Sequence, residues 1–168
     1  MISIIIVFLS FVLDGILSNF LPYMIDDLSL FTPLLTIVSI FLVYPFYYHK
    51  EKNYYILSFI VGILYDLFYT NLLFFNGFMF LIIAYITVKL YRYLNIDYLK
   101  VVLYISLIII IYESLSAGIF LLFNLVPITI YKVLYKIGHS LLLNIIYGEI
   151  IFSIIQFIPK KYKKIDIN

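Results

Sequence analysis

Six apolar runs follow one another along the chain with only short polar connections between them, and no other feature limits its possible folds so tightly. Residues 2–21 (ISIIIVFLSFVLDGILSNFL) alone supply the roughly twenty residues that a hydrocarbon core about 30 Å thick demands. At 65% hydrophobic and 12% charged over 168 residues, the chain has too little polar surface for a water-soluble domain. The sequence therefore predicts an all-α integral membrane protein. We expect a single domain, residues 1–168, built as a bundle of six transmembrane helices at about 2–21, 32–48, 54–70, 72–91, 99–123 and 137–158, with a basic tail at 159–168.

Prolines and charges mark the ends of the runs. Pro22 is expected to stop the first helix and Pro159 the sixth, while Thr32-Pro33 should open the second as an N-cap followed by proline at the first helical position. Asp26 and Asp27 fall in a loop without positive charge, Asn95 and Asp97 in a short connection, and Pro127, Lys132 and Lys136 in a longer one. The first run lacks the basic leader and small-residue cleavage site of a secretory signal and carries Asp14 in its body, so it is expected to be retained. Orientation follows from the basic residues, which collect on the cytoplasmic side. Lys50, Lys52, Lys89, Arg92, Lys100, Lys160, Lys161, Lys163 and Lys164 fall on one side and only Lys132 and Lys136 on the other, nine against two. Six spans with both termini in the cytoplasm satisfy that count. Tyr47, Tyr48, Tyr54, Tyr55, Tyr91, Tyr93 and Tyr98 crowd the ends of the runs, as an interfacial aromatic belt would. No internal repeat is evident.

Several function classes drop out. Without cysteine there is no disulfide framework or thiolate metal site, and two histidines far apart leave little for a metal centre, so no cofactor is expected. The net charge of +2 is small and the basic residues sit in short clusters, which argues against a nucleic-acid partner. No H-E-x-x-H, G-x-S-x-G or paired-glutamate motif is present, and Asp26-Asp27 has no further acids beside it, so a non-enzymatic protein is expected. A channel would need a ring of like polar residues, which one chain of this pattern does not offer.

Four carboxylates lie inside the runs, Asp14, Asp66, Glu113 and Glu149, with no Lys or Arg well inside a run to pair with them. An acid at the centre of a spanning helix costs roughly 2.5–3.5 kcal/mol on insertion scales, so each should face protein or a polar cavity. The plainer role for each is a protonated or hydrogen-bonded packing element. Gly62, Asp66 and Thr70 recur every fourth residue, so Gly62 would let a neighbouring backbone approach beside the carboxylate. Ser10, Asp14 and Ser18 share a face of the first helix, and Glu113 shares one of the fifth with Ser116 and Ala117, while Ser114 and Gly118 stand four apart. On the sixth helix Glu149, Ser153 and Gln156 form one polar stripe and Asn144 and Gly148 another; all these stripes should face the bundle. His139 reads as an interfacial polar residue and not a ligand. Asp14 and Asp66 lie in the outer halves of their helices, which suggests pairing with Lys132 and Lys136 across the outer rim.

The segment GILYDLFYTNLLFFNGFMFLIIAY resembles the central signature of the MreD family of rod shape-determining proteins, in which a glycine precedes an aspartate by four residues and an aliphatic-glycine step follows about ten later. Those positions here are Gly62, Asp66 and Gly77. A polar residue in the second half of the first helix (Asp14), a second helix opening on Pro33 (FTPLLTIV) and Asn144 (LLLNIIYGEIIF) before a basic tail extend the resemblance over nearly the whole chain. Asn76 stands where the family more often has an aliphatic residue, and Glu149 has no counterpart in its pattern. The resemblance implies a fold similar to energy-coupling-factor S components and a non-enzymatic component of the bacterial elongation machinery in the cell membrane. Such a protein binds the bitopic MreC and, through the complex, MreB, RodA and a class B penicillin-binding protein of sidewall peptidoglycan synthesis. The alternatives are a substrate-capture subunit of an energy-coupling-factor vitamin transporter, or an ion or lipid-precursor transporter. The first is disfavoured by the presence of only two alanines, Ala84 and Ala117, where helix contacts with a coupling subunit would want more. The second needs Asp66, Glu113 and Glu149 to converge.

Overall fold

The computed structural model describes residues 2–24, 33–70, 72–93, 97–124 and 130–159, without the side chains of residues 21–24, Tyr93 and Lys132. Asp26, Asp27, Thr32, Asn95, Pro127 and the four tail lysines lie outside the described residues. The described chain forms six helices: α1 (Ile2–Met24), α2 (Leu35–Val43), α3 (Glu51–Tyr65), α4 (Phe75–Tyr93), α5 (Tyr98–Leu122) and α6 (Ile130–Phe157). They pack in sequential pairs, α1 with α2, α3 with α4 and α5 with α6, and α2 also meets α4, α5 and α6. That central place follows from its composition. LTIVSIFLV is apolar all round apart from two small hydroxyls, and all nine residues are buried.

α1, α4, α5 and α6 are each long and apolar enough to cross a membrane. Their outward faces are oily: Phe8, Phe20, Leu103, Ile146 and Ile150 are all more than half exposed. Water would not tolerate so many bare apolar side chains, and lipid does. An apolar groove of about 320 Å³ runs between α1 and α3, walled by Val7, Phe11, Val61, Leu64 and Phe68 among others.

The element boundaries depart from the sequence expectation where particular residues intervene. α1 continues through Pro22 to Met24; a proline in a last turn removes one backbone bond without ending the helix. α2 opens at Leu35, so Pro33 precedes the helix and does not occupy its first turn. α2 also ends early, at Val43, because Pro45 has no N–H to continue it. The Tyr44 N–H bonds back to the Phe41 carbonyl and the chain tightens into a 3₁₀ turn, Tyr44–Tyr47. α3 widens instead into a π-helical turn, Asp66–Thr70. α6 begins at Ile130, so Lys136 belongs to a helix and not to a connection.

The tyrosines divide. Tyr98 is half exposed, as a belt residue should be, but Tyr44 and Tyr54 are fully buried and pack edge-on at 5.1 Å. Tyr91 stacks against both Tyr44 and Phe41 inside the bundle, and the Tyr54 hydroxyl donates to the Ile40 carbonyl at 2.8 Å.

Candidate functional site

The first four N–H groups of a helix have no partner within it, and in a core without water they must find one elsewhere. Two helices of this bundle begin in the interior, and side chains from other helices close them. Asp14 on α1 accepts from the backbone N–H of Leu35 at 2.8 Å and of Thr36 at 2.9 Å, and from the Thr36 hydroxyl at 2.5 Å. Asn144 on α6 accepts from the Leu34 N–H at 2.8 Å and donates to the Ser140 carbonyl at 2.7 Å. Pro33, itself buried, has no N–H to satisfy. Every main-chain donor from Pro33 to Thr36 is therefore matched, by two residues 21 and 110 positions away.

Asp66 does the same for α4. Its Oδ1 accepts from the Thr70 hydroxyl at 2.8 Å, the Asn76 N–H at 3.0 Å and the Asn76 side-chain amide at 2.8 Å, and its Oδ2 from the Gly77 N–H at 3.2 Å. The Tyr112 hydroxyl of α5 donates to the Asn76 Oδ1 at 2.7 Å, extending the chain of bonds to a third helix. Gly62 makes the approach possible. A Cβ there would stand 2.7 Å from the carbonyl carbon of Asn76 and equally close to the Gly77 Cα, so any side chain would drive the start of α4 away from the carboxylate. Gly77 faces the Phe59 and Ile63 side chains of α3. A carboxylate at a helix start satisfies orphan donors and meets the positive end of the helix dipole, together worth about 0.5–2 kcal/mol.

Glu113 on α5 is 3% exposed, and its Oε2 meets the ammonium of Lys136 on α6 at 2.9 Å. The expected rim pairing is thus corrected for Lys136, which binds Glu113, while Asp14 and Asp66 bind backbone N–H groups; the Lys132 side chain lies outside the described residues. Among the described residues, the other Glu113 oxygen and the Ser116 hydroxyl are buried with no hydrogen-bond partner. Tyr112, next to Glu113 in the chain, reaches Asp66 through Asn76, so one tyrosine links the surroundings of two of the acids.

Glu149 stands apart. It is half-buried, and among the described residues no hydrogen bond links it to the other three acids. The Ser153 hydroxyl donates to the Glu149 backbone carbonyl at 2.8 Å and not to a neighbouring helix. Of the expected bundle-facing stripes, Asn144 and Gly148 are buried, Gly148 tight against Ile105, whereas Glu149, Ser153 and Gln156 lie at the edge. Ser18 and Ser114 are exposed, and Gly118 has open space where a close helix neighbour was expected.

One cluster lay hidden in the apolar runs. Ser10, Ser39 and Tyr147 bring three hydroxyls together at the junction of α1, α2 and α6. Ser10 is the only one of them with a sequence signal, its spacing of four from Asp14.

Chemically, Asp14 accepts three hydrogen bonds and Asp66 four, from main-chain, hydroxyl and side-chain amide donors. A carboxylate held in that way fastens helices and has little capacity left to act as a base.

A family model described as rod shape-determining protein MreD matches residues 1–161. No curated protein and no solved structure matches the chain.

Proposed function

We propose a scaffolding role for this chain, which belongs to the rod shape-determining protein MreD family and so has a part in rod shape determination. In this proposal it is a non-enzymatic, multi-pass component of the bacterial cell membrane that docks the bitopic protein MreC and links MreB to RodA and a class B penicillin-binding protein. The observation that carries it is the engagement of both oxygens of Asp14 and Asp66 by the starts of α2 and α4. Acids placed for transport or catalysis need a face open to substrate, and these two are buried and turned to helix starts.

The proposal treats all six helices as one transmembrane domain with both termini in the cytoplasm. The nine-against-two division of basic residues supports that orientation. α2 and its 3₁₀ turn cover only Leu35–Tyr47, shorter than an ordinary span, so in this view α2 is a short central span whose crossing is completed by the chain on either side of it. Likeness to energy-coupling-factor S components rests on the family resemblance alone.

The test is co-purification in detergent with and without a bitopic MreC-like protein from the same cell. One-to-one capture supports the scaffold. No capture, together with tight binding of a vitamin, contradicts it and favours the transporter alternative.

A further inference from the structure

Among the described residues, three of the four acids in the apolar runs find a donor; Glu149 does not. One of its carboxyl oxygens is sealed from the surface and has no hydrogen-bond partner. Its depth makes that costly. Glu149 stands eight residues before Phe157, the last residue of α6, about 12 Å along the helix axis at 1.5 Å per residue, well inside a core about 30 Å thick. It also stands beside the core-facing line of α6 and not on it. The buried line on α6 is Ser140, Asn144, Gly148, Phe152 and Ile155, and Glu149 is one residue past Gly148, about 100° round the helix. Beside it Leu142, Ile146 and Ile150 are 61%, 53% and 54% exposed.

We propose that this face of α6 docks one membrane-spanning helix of another protein, whose side chain donates a hydrogen bond, from a cationic or amide group, to the Glu149 carboxyl within the bilayer. Charge complementarity selects the occupant. A second copy of this chain, inserted with the same orientation, would bring acid to acid at one depth, where like charges are least tolerated. A partner helix carrying a donor would turn the half-buried Glu149 carboxyl outward and satisfy it, and Leu142, Ile146 and Ile150 supply the flanking contact. The proposal rests on the reading of the chain as a membrane scaffold and names the surface that such a scaffold would use.

The test uses the full chain in phosphatidylcholine vesicles and a synthetic Leu/Ala helix of about 22 residues with one central lysine, against the same helix without it. Association is read by energy transfer. The wild type should bind the lysine helix about tenfold or more tightly than the plain one. Glu149→Leu, which suits lipid and should insert normally, should abolish that preference. Glu149→Gln, which keeps the shape and a carbonyl acceptor, should retain part of it. Equal binding of both helices by the wild type overturns the proposal, as does a preference that survives Glu149→Leu. The chain has no cysteine, so Ile146→Cys reports self-docking cleanly, and efficient disulfide dimers through that position would also overturn it. Failure to capture a bitopic MreC-like protein would strike the scaffold assignment and leave this binding preference as a separate result.

Discussion

Asp66, in the π turn that ends α3, accepts the backbone N–H of Asn76, the second residue of α4, at 3.0 Å. A side chain thereby does for the next helix what an N-cap does for its own. Asp14 repeats the arrangement with Leu35 and Thr36 at the start of α2.

Asp66→Asn keeps the volume but exchanges an acceptor oxygen for an NH₂ that faces N–H donors. Leaving a buried donor unpaired costs about 1–3 kcal/mol. We expect normal membrane insertion and a Tm in detergent lower by roughly 4–8 °C. An unchanged Tm would separate Asp66 from the stability of the fold.

Gly62 and Gly118 should respond in opposite ways to the same methyl group. At Gly62 a Cβ meets the Asn76 backbone, which cannot step aside, so Gly62→Ala should lose about 1–3 kcal/mol. At Gly118 nothing lies within 4 Å, and alanine in a helix interior is favoured over glycine by roughly 1 kcal/mol. Thermal denaturation of the two variants side by side checks the contrast.

Lys136→Met would strand the Glu113 carboxyl, 3% exposed, without its cation. Breaking a fully buried pair from one side costs about 3–5 kcal/mol, and with the Lys136 side chain 47% exposed the loss here should fall below that range, whereas replacing both members by apolar residues is often neutral. The double variant Lys136→Met with Glu113→Leu should recover most of the loss. A double-mutant cycle with no coupling would mean that the pair contributes nothing to the fold.

Phe74 holds a left-handed backbone, φ 68°, immediately before α4. That conformation strains an aromatic residue by about 1–3 kcal/mol and suits glycine. Phe74 is half exposed and has little packing to lose, so Phe74→Gly should be neutral or stabilising and Phe74→Val destabilising in the same thermal assay.

The unit Gly62–Asp66–Gly77 was legible because a spacing of four is helix geometry, and an acid beside a glycine in an apolar run has few other uses. Its ligands were not legible. They are backbone N–H groups, which every residue carries, so only the packing reveals which ones lie near. The pairing of Lys136 with Glu113 was missed for a related reason: residues 130–136 mix lysines with apolar residues and read as a connection, yet they continue α6. Pro45 carried the signal for the early end of α2, masked by the long apolar run around it. The hydroxyl cluster of Ser10, Ser39 and Tyr147 had no joint signal, since isolated hydroxyls on three helices share no spacing.

Amide hydrogen exchange, resolved by residue on the full chain in lipid nanodiscs, tests most directly whether the two aspartates fasten helix starts. Asp66→Asn should speed exchange at Asn76 and Gly77 about tenfold or more and leave Leu35 and Thr36 protected; Asp14→Asn should do the reverse. Wild-type protection at both helix starts in both variants would contradict the account.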